Sequence, residues 1–544
     1  MAKEKKTKVS IYLLKKGVNK KDVIKNDDLG ELEIEGGTLY FKKTRQSHPA
    51  WYKSFFHGKV GNFNPLSQSS SALYFKKITV GDEKHTFLLP FGYGHAMINN
   101  AYCVEDFGLK ITLNIVKRDS IRTIKTRTLT SDPRNTIEQL TKLGDISDFG
   151  IDVEQDLVTE VTGKPDNKFK DNFGASNVIG KAAFTITQYV HLDNLDKFLK
   201  KCLEHYNKKT YTEEGFEFID RIKPIKDTAE YDEILLSHIN NNKSEKDIHL
   251  WMSIPEIIEW ERVQEFSFDE KGTSPESDIS YDYFQEAVID KRNKEIDLAF
   301  IKNNKIYALD SDNKAQYSWS ILSCLCCEII QDNETFILSN GNWYEINKDF
   351  VKEVNASYDK IMKKSNIMQK SIDDETRLCK ANKKETEPNY NIRVADDKGL
   401  IMMDSKCVQH GNPPTSIEVC DLYDSKDKAF IHIKVYSGSS ALSHLFAQGL
   451  VSGELFLQDG GFRDKAIKKL KKLGEVIKEK FPLPTANAKP KPADYKIIFG
   501  IIDARKKEFD LPFFSKVNLK HQCKSLNKIG YSNIYLVKIP RQTS

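Results

Sequence analysis

Apolar and polar positions alternate along much of the first part of the chain. KVSIYLL, ELEIEG, GTLYFKK, HTFLLPF, LKITLNIV and AAFTITQYV read as strands divided by turn-rich stretches. DNLDKFLKKCLEHY, apolar at three- and four-residue spacing, reads as a helix. The pattern predicts an N-terminal α+β region over residues 1–228. A small mixed domain is expected over 229–350, from WMSIPEIIEW, a hairpin-like IDLAFIKNNKIYALD, and ETFILSNGNWYEI, whose Asn-Gly suits a tight hairpin turn.

The lysine-rich KDFVKEVNASYDKIMKK and the polar DDETRLCKANKKETEP then predict a helix and linker over 351–384. From 385 to 544 the elements form an ordered series. Pro388 suits the first turn of a helix, NYNIRVAD, where Glu385 and Glu387 favour the helix dipole. Strands GLIMMDSKCV, SIEVCDLY and AFIHIKVY follow, and then the helix SALSHLFAQGLVSGELFL. A basic amphipathic helix, FRDKAIKKLKKLGEVIKEKF, precedes the strand YKIIFGIID, a helix starting near Ser515 and the strand NIYLVKI. The fold class expected is α+β multidomain.

Composition narrows the class. At 544 residues with 39% hydrophobic and 10% aromatic content, the chain can build several packed cores. No run approaches the length of a membrane span, and the opening MAKEKKTKVSIYLLKK has too few apolar residues for a signal peptide. A cytoplasmic protein with no membrane partner is expected. The nine cysteines lack zinc-site spacing, and Cys324, Cys326 and Cys327 sit in an apolar run that suits buried thiols. Net charge is +5, but 35 basic and 23 acidic residues follow residue 350, against 48 and 55 before it. The C-terminal part is therefore the basic one, as expected where a domain approaches a polyanion such as nucleic acid.

Candidate chemistry gathers around FIHIKVYSGSSALSHLFAQG. Residues two apart on a strand share a face, so His432 and Lys434 point the same way. Asp421, at the end of the preceding strand, falls near them across the hairpin turn. Ser437 and Ser440 bring hydroxyls to a helix N-terminus, a ready anion site, and Ser440, His444 and Gln448 line one helix face. Asp404 with Lys406, and Glu418, stand as second-tier candidates; Glu418 is expected to face opposite Asp421 in a regular strand.

This order of elements and polar residues resembles the PD-(D/E)xK superfamily. The resemblance implies a restriction-endonuclease-like α/β core of helix, three strands, helix and strand, over about 155 residues. Its residues would fall on Glu387 or Glu385 as the helix acid, Asp421 as the metal-binding Asp, Lys434 as the Lys and Gln448 as the helix Gln. His432 stands where the family has Asp or Glu, which would put it among the metal ligands with Asp421 and Glu387. Imidazole suits softer ions better than Mg²⁺. The activity implied is a metal-dependent endonuclease using Mg or Mn on DNA or RNA, with Ser437, Ser440 and His444 on the substrate phosphate.

Over the whole chain, HIK…SGSSALSHLFAQG, IEVCDLY and LPFFSKVNL also resemble a sporadically distributed, uncharacterised bacterial family found among mobile and defence genes. That resemblance implies a phage-defence or toxin-like setting. Two other readings stand beside the nuclease. His432-x-Lys434 resembles half of the phospholipase-D HxKxxxxD motif, with His as a metal-free nucleophile, although Ser439 occupies the Asp position and no second copy is visible. Alternatively, the fold serves as an inert nucleic-acid-binding or scaffold protein. Homo-oligomerisation stays open.

Overall fold

The computed structural model describes residues 6–542 except 26–27, 44, 50–51, 53–63, 131–132, 226, 242–246, 293, 332–333, 372–377, 404–407, 411–414, 437–438, 473–482 and 506–508. The architecture is mixed α/β with several largely antiparallel sheets. Asp404, Lys406 and Ser437 lie outside the described residues.

The N-terminal part forms a ten-stranded sheet from strands between Thr7 and Gln188. Against it pack two helices, Leu192–Tyr206, as its period predicts, and Phe107–Ile115. The second corrects an expectation: LKITLNIV reads as a strand because its apolar residues continue without a polar face. The helix is buried on nearly every side, so periodicity carries no signal there. Gly108 permits the fit, since a Cβ there would lie 2.1 Å from the Ala183 carbonyl oxygen.

The middle part has a five-stranded antiparallel sheet with Ile222–Pro224 as one edge strand. Strands Glu334–Ser339 and Asn342–Ile346 form the expected hairpin, with Asn340 and Gly341 at φ 51° and 72° in its turn. The other expected hairpin does not form. Leu298–Asn303 is a short helix, capped by Asp297, whose Oδ1 accepts from the Phe300 N–H at 2.6 Å.

The C-terminal unit is a three-layer arrangement. Its helices are α1 (Lys348–Ser371), α2 (Glu387–Lys398), α3 (Ser439–Gln458), α4 (Gly460–Lys472) and α5 (Phe513–Lys528). The strands are β1 (Ile401–Met402), β2 (Leu422–Asp424), β3 (Ala429–Val435), β4 (Lys496–Asp503) and β5 (Asn533–Pro540), paired in that order. The first three run antiparallel; β3, β4 and β5 run parallel. Alternation along β3 sends Phe430 to the core beneath α3 and α5, and Ile431 and Ile433 to the core beneath α2.

Two stretches depart from the strands expected. SIEVCDLY gives a short strand Thr415–Ile417, paired with Val408–His410, then irregular chain, then β2. GLIMMDSKCV gives only β1 before the description breaks off. The lysine-rich α1 covers the open edge of β5, where the Ser365 hydroxyl accepts the Leu536 N–H at 2.8 Å. An unpaired edge would otherwise be a template for foreign strands.

The three parts are joined by buried contacts. Leu129, Tyr344, Val351, Phe513 and Phe514 belong to one cluster. The Glu328 carboxylate, 1% exposed, accepts the Phe513 N–H at the start of α5 at 2.5 Å. Among the described residues no helix is long and apolar enough to cross a membrane.

Candidate functional site

Because β3, β4 and β5 are parallel, their C-terminal ends open on one edge of the sheet, where α/β proteins commonly place ligands. The first turn of α2 reaches this edge. Glu387 Oε1 accepts from Lys434 Nζ at 2.9 Å, and Oε2 accepts from the Val435 N–H at 3.2 Å. Both side chains are half-buried. Burial pulls the Lys434 ammonium down, but Glu387, with Asp421 and Glu418 adding, more than reverses this and holds it above its ordinary value. Lys434 is therefore charged at neutral pH.

Asp421 stands just before β2, where that strand starts to diverge from β3. Its N–H donates to the Ile431 carbonyl at 3.0 Å and its Oδ2 accepts the Ile433 N–H at 2.5 Å. It is 6% exposed. Glu418 also acts on Lys434, although a regular strand would turn it away from Asp421. The chain from Glu418 to Asp421 is not a strand, so the two-residue alternation does not apply.

His432 behaves differently from Lys434 despite the shared parity. Its imidazole is 2% exposed, with Nε2 3.4 Å from the Ser452 hydroxyl and its ring 6.0 Å from that of Phe499. Burial pushes it down to about 4, so it is neutral at pH 7. Gly449 lets α3 come this close: a Cβ there would lie 2.4 Å from Phe499 Cε1 and 3.6 Å from His432 Cδ2.

Glu385 is engaged elsewhere. Arg393 grips it with Nε and Nη2, both at 2.7 Å, and the Asn382 N–H adds a third bond at 2.8 Å. That ion pair holds its carboxyl below the usual range and leaves Glu387 as the acid facing Lys434. On α3, Gln448 is half-buried and His444 exposed; among the described residues neither bonds to Glu387, Asp421 or Lys434. Ser440 lies in the first turn of α3, and its side chain is outside the description.

Some residues at this edge carry no motif and were missed. Arg505 Nε and Nη2 donate to the two oxygens of the buried Asp503 at 3.0 and 3.1 Å. The Arg505 guanidinium lies 3.8 Å from the Tyr436 ring centre. Lys538 Nζ is 3.7 Å from Asp503. The signal available was positional: each follows or ends a strongly apolar strand. From the middle part, His249 Nδ1 approaches the Tyr436 hydroxyl at 3.3 Å.

The structure thus brings together Glu387, Asp421 and Lys434, with a basic border, and turns His432 into the core. Among the described residues no group of three or more His, Cys, Asp and Glu is placed to hold a metal ion.

A family model of unknown function, DUF6119, matches residues 9–540, and the chain belongs to that family. No curated protein matches the chain. No solved structure matches it either.

Proposed function

We propose that the C-terminal unit is a restriction-endonuclease-like nuclease that hydrolyses phosphodiester bonds in DNA or RNA. The observation that carries the reading is the convergence of Glu387 and Lys434 at 2.9 Å beside Asp421, where β2 and β3 part. Support also comes from the order of elements, helix, three strands, helices and parallel strands, with helices on both faces. The setting in phage defence, or as a toxin-like element, rests on the sequence resemblance.

In this reading Lys434 orients the attacking water and stabilises the charge that develops on phosphorus-bound oxygen. Glu387 keeps the ammonium protonated and aimed. Arg505 and Lys538 give the approaching backbone a positive border. The residues fit a divalent ion only in a sparse way: Asp421 and Glu387 offer two carboxylates. That suits Mg²⁺, which takes one or two carboxylates and completes its shell with water and substrate phosphate. When bound, the ion would lower the pKa of a water and neutralise phosphate charge. His432 would not be among its ligands.

The buried His432 favours a second reading, a nucleic-acid-binding or scaffold protein that keeps the fold without the third acidic ligand. The phospholipase-D-like reading needs an accessible imidazole, and the burial of His432 counts against it. Incubating the full chain with single- and double-stranded DNA and RNA in Mg²⁺, Mn²⁺ or EDTA separates the three. Metal-dependent cleavage lost in Asp421→Ala supports the nuclease. Binding without cleavage supports the scaffold. Cleavage that persists in EDTA and vanishes in His432→Ala supports the nucleophile.

A further inference from the structure

Two residues of the middle part face each other across neighbouring strands, and both reach the C-terminal unit. His249, on the strand Asp247–Met252, is paired with Glu328, on the strand Leu325–Gln331, and antiparallel partners share one face of a sheet. His249 Nδ1 lies 3.3 Å from the hydroxyl of Tyr436, the residue that follows β3. Glu328 Oε1 accepts the N–H of Phe513, the first residue of α5, at 2.5 Å.

Arg505 sits between these two anchors. On one side its guanidinium lies 3.8 Å from the centre of the Tyr436 ring. On the other, its Nη2 donates to the Asp510 carbonyl at 3.0 Å, shortly before Phe513 in the chain. Lys516 Nζ, in the first turn of α5, holds the Asp510 carboxylate at 2.8 Å. The path from His249 to Glu328 therefore closes through Tyr436, Arg505, Asp510 and the start of α5.

What this path holds is the basic border of the strand ends. Arg505 is 31% exposed and Lys538 24%, and both pair with Asp503, which is 1% exposed. Two cations against one buried carboxylate leave positive charge for an arriving phosphate. A guanidinium meets phosphate through directional, planar donors, so its use depends on how firmly that plane is held. Asp503 grips the edge of the plane and Tyr436 backs its face. The Tyr436 backbone is fixed by its N–H, which donates to the Ile502 carbonyl at 2.9 Å. Its side-chain torsions are separate from that bond, and the hydroxyl contact to His249 is what restrains them from the middle part.

We propose that His249 is a positioning residue for nucleic-acid binding at the strand ends, acting through Tyr436 on Arg505. The middle part then sets how tightly the C-terminal unit holds its substrate. This rests on the reading of the edge as a nuclease site. Lys434 and Glu387 lie outside the path, so the effect falls on binding and not on the chemical step.

Fluorescence anisotropy of the full chain with labelled single- and double-stranded DNA and RNA oligonucleotides, in EDTA, reads binding apart from cleavage. Arg505→Gln is expected to weaken binding about tenfold and to lower its salt dependence by about one phosphate contact. His249→Ala and Tyr436→Phe are each expected to weaken it about three- to tenfold, with thermal melts showing a folded protein. The two together are expected to lose no more than the stronger single variant, and neither adds to Arg505→Gln, because all three act on one group. In Mg²⁺, cleavage by His249→Ala at saturating oligonucleotide is expected to stay within about twofold of the parent, the loss falling on KM. Binding unchanged in both His249→Ala and Tyr436→Phe, or losses in these two that add in full to one another, overturns the proposal; this pair suffices if Arg505→Gln fails to fold. Binding by the parent without cleavage would remove the nuclease reading and leave the path intact. Absence of binding to every oligonucleotide by the parent overturns both.

Discussion

Two carboxylates in this protein sit beside cations in opposite states of completion. At the strand ends of the C-terminal unit, both oxygens of Glu387 are taken, one by Lys434 and one by the Val435 N–H. Between the N-terminal and middle parts, Glu105 has one oxygen taken by Tyr344 and one with no partner among the described residues. The first arrangement is already set and holds a charged lysine. The second leaves one buried oxygen with no hydrogen-bond partner among the described residues.

The largest effect expected is on cleavage. Lys434→Ala and Asp421→Ala are each expected to lower the single-turnover rate by about 10³-fold or more, with thermal melts showing a folded protein. Normal rates in both variants would reduce the strand-end cluster to a structural ion pair.

A smaller effect separates the two carboxylates directly. Glu387→Gln strips the charged partner from Lys434 and is expected to cost about 1–3 kcal/mol in denaturant melts. Glu105→Gln keeps the acceptor for Tyr344 and removes a charge that burial already disfavours, so a cost below about 1 kcal/mol is expected. Equal costs would break the comparison.

The pH dependence follows from the same burial. Glu105 and Glu328 are each raised from 4.5 to about 7 in the folded chain. Between those values the native state holds more protons than the unfolded one, so stability falls as pH rises through the window and is fully present only below it. Melts at stepped pH should show this slope, and Glu105→Gln should flatten part of it.

The smallest effect concerns His521, which joins α5 to Asp152 and Glu154 at 3.3 and 3.0 Å. Bonding to Asp152, then Glu154, raises it to about 9. Its contribution is present below pH 6.5 and lost as pH rises through 9. Being partly exposed, it is expected to be worth less than about 1 kcal/mol, read as the Tm difference of His521→Ala at either end of that range.

The C-terminal elements that matched expectation were legible because each announces itself locally. Pro388 opens α2, the β3 and β4 sequences are short apolar runs bounded by polar turns, and α3 is long. The site was legible in part: Asp421, Lys434 and Glu387 meet, but parity alone cannot say that His432 is sealed by Phe499 and Ser452 while Lys434 reaches the sheet edge. Arg505 and Lys538 were invisible because they belong to no motif and meet only through the parallel order of β3, β4 and β5. The cleft at Glu105, between the N-terminal and middle parts, was invisible for a stronger reason. Its walls, the strand Val116–Thr128 and the segment 255–259, stand more than a hundred positions apart, and neither wall has a sequence pattern.

One comparison tests the central claim most directly, because it sets two residues of one strand against each other. Cleavage of a labelled oligonucleotide by the full chain is measured for Lys434→Ala and for His432→Phe, which keeps a ring in the His432 pocket. The predicted result is no cleavage by Lys434→Ala and cleavage within about tenfold of the parent by folded His432→Phe. Full activity in Lys434→Ala, with loss in a folded His432→Phe, would contradict the account.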